Sequence, residues 1–176
     1  MYPRQSGTLL ERFFSGITEQ TFQARLGVAD PALVDYMADL LVRFLKCDLV
    51  FGIRDADGKR LKDVAALMIE ARQRTGEASR QVYRHIGDFA LFWAGVYPEA
   101  LGRLQGTDSR DHLIDYCTQG KRSYLIASSI PSDDRENAVL ERLSHDFELC
   151  VYGLGEVRRE WERRNPDDSA VPWCFE

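Results

Sequence analysis

Each of the three histidines has an aspartate close by, and imidazole beside carboxylate is the pairing this chain offers for chemistry. His85 and Asp88 stand three residues apart, as do His112 and Asp115, and His145 directly precedes Asp146. On a helix the i, i+3 spacing brings two side chains to one side. A carboxylate there can fix the tautomer of an imidazole for general-base work. The same pair repeated on neighbouring helices is one way a bundle builds a metal site. The candidate catalytic residues are therefore His85 and Asp88, with Glu99 a little further along. These residue types alone do not decide between an enzyme and a binding protein.

Helical phase argues against a shared metal centre. Leu140, Leu143, Phe147, Cys150, Leu154, Val157 and Trp161 follow one another at alternating steps of three and four. That spacing keeps seven apolar side chains on one stripe, which has to be buried. At about 100° per residue, His145 points roughly 170–200° away from the centre of that stripe, toward solvent. His112 sits in the first turn of its helix, about 100° from the apolar side. Only His85 borders a buried face, beside Phe89 and Phe92. No metal and no cofactor are expected. The order His112, His145, Asp146 resembles the helical HD-type phosphohydrolases, but that pattern wants a further aspartate well downstream, and too little chain follows.

Other motifs are missing or fail. There is no G-x-S-x-G elbow, phosphate-binding loop or dinucleotide fingerprint. Asp55-Ala56-Asp57-Gly58 looks like the start of a calcium loop, yet Gly58 at the sixth position makes the first Ile53 and the twelfth Val64. Neither can coordinate calcium. Cys47, Cys117, Cys150 and Cys174 are scattered without a C-x-x-C pair, which points to a reducing compartment. The aromatic group Tyr83, Phe89, Phe92, Trp93 and Tyr97 reads as core, with an apolar ligand pocket as the alternative.

The 176 residues are 44% hydrophobic and 29% charged, with a net charge of −5, an ordinary balance for a globular protein. Arg158, Arg159, Arg163 and Arg164 alternate with Glu156, Glu160 and Glu162, so they pair along a solvated helix face and form no basic stripe. Nucleic-acid binding is not expected. No apolar run approaches the ~20 residues of a membrane span, so no membrane partner is expected and a cytoplasmic location is.

These residues are positioned by an all-α, single-domain helical bundle of five to seven helices over 1–164, followed by a polar tail over 165–176. Short helices occupy 1–29, one opened by the capping box Thr8-Leu9-Leu10-Glu11 and closed by Gly16, the next ended by Gly27. The bundle proper uses helices near 31–47, 61–74, 77–97, 109–130 and 133–164. Phe89 to Val96 is apolar all round, which marks the third of these as the central helix. Residues 48–60 break the pattern as a loop, with a short hairpin around Asp57-Gly58 as the alternative. Gly153 and Gly155, inside the last helix, mark a bend or a close approach. The expected function is a binding or interaction module acting through helix surfaces, with homodimerisation through the C-terminal helix or the tail. The alternative is an enzyme or small-molecule binder with a pocket beside the central helix around His85.

Overall fold

The computed structural model describes residues 8–44, 52–61, 63–105 and 109–165, with the backbone alone for Leu10, 102–105 and 109–114. The segments holding Cys47, the run Leu49-Val50-Phe51 and the tail with Trp173, Cys174 and Phe175 lie outside the described residues.

Helix α1 (Leu9–Glu19) opens on the expected capping box. The Thr8 hydroxyl accepts from the Glu11 amide at 3.3 Å, and the Glu11 carboxylate accepts from the Thr8 amide at 2.9 Å. The helix does not stop at Gly16. It runs on and widens into a π-helical stretch, Gln20–Arg25, before Gly27 turns the chain with φ +67°. Ile17, Thr18, Thr21 and Phe22 are all buried. Burying Ile and Phe side chains contributes about 1.5–3 kcal/mol each, which outweighs the roughly 1 kcal/mol that a helical glycine costs.

Aspartates start three of the following helices. Asp30 accepts from the Leu33 amide at the head of α2 (Pro31–Phe44), and Asp63 from the Ala66 amide at the head of α3 (Val64–Gln73). After α4 (Gly76–Val96), α5 (Pro98–Gln105) and α6 (Ser109–Ser129), Asp133 caps α7 (Asp134–His145) by accepting from the Arg135 and Glu136 amides. Helix α8 (Phe147–Arg164) completes the described bundle. Between α2 and α3 the chain folds back at Gly58 (φ +78°) and is closed by one β-bridge, Arg54 to Arg60. Among the described residues every regular element is helical.

The expected helix over 133–164 is two helices that meet at Asp146, and this raises the described count to eight α-helices. The break leaves the helical phase intact, because the Asp146 amide still donates to the Arg142 carbonyl and the Cys150 amide to the Asp146 carbonyl, both at 2.9 Å. Leu140, Leu143, Phe147, Cys150, Leu154 and Val157 therefore form one continuous buried seam across both helices.

Helix α4 is the hub. It packs most heavily on α6, then on α3 and α8, and every residue from Ile86 to Tyr97 is buried. Small residues let its neighbours approach: a Cβ on Gly87 would lie 2.6 Å from the Tyr124 ring, and one on Gly95 2.7 Å from Leu154. No helix of the described residues is long and apolar enough to cross a membrane.

Candidate functional site

Helix α4 carries Asp88 into its junction with α2 and α6, where the residue is 1% exposed. A carboxylate in that position costs several kcal/mol unless donors surround it. Three do. Oδ1 accepts from the Tyr36 hydroxyl at 2.5 Å and the Tyr124 hydroxyl at 2.7 Å, and Oδ2 from Arg43 Nη1 at 2.9 Å. One turn back on α4, Arg84 Nε donates to the Tyr36 oxygen at 3.1 Å. Arg84 also pairs with Glu136 on α7, which takes Arg80 Nη2 at 3.0 Å. Arg80 is wholly buried and donates further to Asn137 Oδ1 and to Glu77. Asn137 in turn donates to the Ile130 carbonyl at the α6–α7 turn. A file of polar side chains thus runs from α2 through α4 to α7.

Burial, and then the Asp88 charge, push the Tyr36 and Tyr124 phenols well above their ordinary range. Both stay neutral and keep donating at physiological pH. Burial works against the charge on Arg43, and Asp88 more than restores it. Both oxygens of the carboxylate are occupied by the protein itself, so the arrangement ties α2, α4 and α6 together in one register. A general base needs a lone pair turned toward a substrate, and Asp88 turns its own toward two phenols and a guanidinium.

The three candidate residues end up apart. Three residues advance a helix by about 300°, leaving a 60° offset, and that offset separates His85 from Asp88. Asp88 enters the α2–α6 junction, while His85 is half-buried against Phe44 and Phe89, with ring centroids 6.0 and 6.3 Å away. Tyr36, Tyr124 and Arg43, rather than His85, take up the Asp88 carboxylate. Glu99 lies in the first turn of α5, and Val96, the last residue of α4, already lies about 12 Å along that helix from Asp88. There Glu99 pairs with Arg158 Nη1 at 2.5 Å. The Arg158 guanidinium lies 4.8 Å from the Tyr97 ring centroid and donates to the Val96 carbonyl at 2.6 Å. A cation at the carbonyl end of a helix suits its dipole, so Glu99 serves the α4–α8 contact.

His145 projects into solvent, its side chain 84% exposed, with Asp146 4.0 Å away. The His112 side chain lies outside the described residues. Among the described residues no group of three or more His, Cys, Asp or Glu is placed to hold a metal ion. Phe89, Phe92, Trp93 and Tyr97 fill core and Tyr83 is half-buried against it, with edge-on contacts from Phe92 to Trp93 (5.4 Å) and to Tyr97 (5.7 Å). A crevice beside it, between Phe14, Leu154 and Trp161, measures only about 20 Å³.

Open space lies instead on the outside, between α6 and the α7–α8 pair. Two adjoining hollows of about 510 and 640 Å³ share Lys121, Leu125 and Ser144. The walls are tied by Lys121 Nζ to Glu148 at 2.8 Å and by the Ser144 hydroxyl donating to the Lys121 carbonyl at 2.8 Å. Leu125 stands 51% exposed in these hollows, and Tyr152, one turn beyond Glu148 on α8, stands 56% exposed. Burial and then Glu148 push the Cys117 thiol up.

The apolar pattern that reveals the bundle says nothing of Tyr36, Arg43, Arg84 and Tyr124. The usable signal is local: Arg80, Arg84 and Asp88 recur every four residues on the helix destined for the centre. The groove has a signal too, since Tyr152 stands off the buried seam of α8. The chain matches no known protein-family model, no curated protein and no solved structure.

Proposed function

We propose that the protein is an interaction module that binds a protein surface through the groove between α6 and α7–α8. The observation that carries this is the exposure of Leu125 within the groove and of Tyr152 one turn beyond its Glu148. Large apolar side chains rimmed by polar ones mark contact surfaces, and an exposed tyrosine is a frequent energetic anchor of interfaces. Lys121, Arg122, Glu141, His145 and Glu148 supply the polar rim. The buried seam of α8 is not the contact, because Val157 is 2% exposed and a charge placed there disrupts the core. Self-association through the C-terminal helix therefore uses its outer face.

A photo-crosslinking amino acid placed at Leu125 or at Tyr152 tests the reading in cells. Both positions are expected to yield adducts heavier than the 20.2 kDa chain, and the exposed Arg12 on α1 none. Absence of adducts from both groove positions contradicts it.

A further inference from the structure

We infer that the groove takes a second copy of this chain, packed about a two-fold axis that runs along the groove. The inference rests on the interaction reading above and names its partner. The two walls carry opposite characters. On α6 the outward positions Thr118, Arg122 and Leu125 follow steps of four and three, with Lys121 beside them. On α7–α8 the outward positions are Glu141, His145, Glu148 and Tyr152, at steps of four, three and four. The α6 wall is basic, the α7–α8 wall carries Glu141 and Glu148 beside Arg142, and each has one exposed large apolar side chain, Leu125 or Tyr152.

Two opposite charges are unspent. Arg122 and Glu141 are both exposed, and neither has an ion-pair partner among the described residues. Lys121 is already held by Glu148, and Arg142 by Asp146. Because Ser144 bonds to the Lys121 carbonyl, Arg122 lies level with the stretch between Glu141 and Glu148. Rotation about an axis along the groove exchanges the walls without sliding them. It sets Arg122 of one copy against Glu141 of the other, and Leu125 against the stretch from Ala138 to Glu141. An axis across the groove instead stacks basic wall on basic wall, which like-charge repulsion opposes. The charge pattern therefore selects one of the two symmetric packings, an isologous one.

Thr118 to Leu125 spans about 10 Å and Glu141 to Tyr152 about 16 Å. A patch of that size falls below the standard interface, so the dimer is weak and reversible, forming at about 100 µM and above.

Sedimentation velocity over about 5 to 500 µM, the range such weak complexes need, tests this together with a charge swap. Wild type is expected to rise from 20.2 kDa toward twice that mass. R122E and E141R are each expected to raise the half-association concentration about tenfold, and the double variant to return within about threefold of wild type. Both sites are exposed, and unchanged thermal melts of the single variants establish that they fold. Wild type that stays monomeric throughout, or a double variant no better than the singles, overturns the second copy. Heavier crosslinks from Leu125 whose mass is not twice the chain do the same while leaving the interaction reading intact.

Discussion

Asp88 shows how a residue suited to catalysis becomes a fastener. Its neighbour His85 was the natural partner on the linear chain, yet the donors that reach it come from Tyr36, Arg43 and Tyr124, at separations of 52, 45 and 36 residues. Spacing along one helix cannot show such partners, since they depend on which helices pack together. Stability then acquires a defined pH dependence. Burial raises Tyr36, Tyr124, Tyr97 and Tyr116, and lifts the Cys150 thiol to about 12. A raised native pKa means the folded state holds protons that the unfolded chain has already released. These groups stabilise the fold fully below the unfolded values, about 8.5 for a thiol and about 10 for a phenol, and the contribution is lost as pH rises past them. Urea unfolding is expected to give constant stability from about pH 7 to 8 and a steepening loss above about pH 9. Tyr124→Phe removes one phenol and reduces the slope above pH 10 by up to about 1.4 kcal/mol per pH unit. A flat alkaline limb, or a slope indifferent to that substitution, contradicts the assignment.

Elements were far more legible than sites. The capping box at Thr8, the apolar stripe from Leu140 to Trp161 and the enclosed run Phe89–Val96 each follow from side-chain chemistry within one turn or from period, although Trp161 is only half-buried. What escaped were junctions: α1 passing through Gly16 into a π-helical stretch, and the Asp146 break that leaves the seam in phase. Both depend on what the helix packs against. The paired glycines of α8 make the point measurable. A Cβ at Gly153 would lie 2.3 Å from the buried Phe22 ring, whereas one at Gly155 would meet only the Gly95 carbonyl oxygen at 3.5 Å. The first glycine is a close approach to the π-helical stretch and the second an ordinary contact with α4. Gly153→Ala is expected to destabilise by about 1–2 kcal/mol, overpacking exceeding the gain in helix propensity. Gly155→Ala is expected to stabilise by up to about 1 kcal/mol. Thermal melts read this as shifts of opposite sign, about 2–4 °C per kcal/mol at this chain length. Shifts of the same sign contradict the contacts.

At the scale of the molecule, the described interior is filled by packing and by one polar file, and the proposed contact lies on the surface between α6 and α7–α8. Composition and period placed the chain among helical bundles, but a groove arises only where two helices stand side by side. Leu125 is one apolar residue among several on α6, and only the packing of its neighbours leaves it half-exposed. Closed core and associating groove predict different behaviour in one experiment, amide hydrogen exchange followed by mass spectrometry at low and high protein concentration. Exchange in Ile86 to Tyr97 should be slow at both concentrations, since these amides open only with the whole bundle. Added protection at high concentration should be confined to residues 117–126 and 141–152. Rapid exchange in the central helix, or a concentration effect that misses both walls of the groove, contradicts the account.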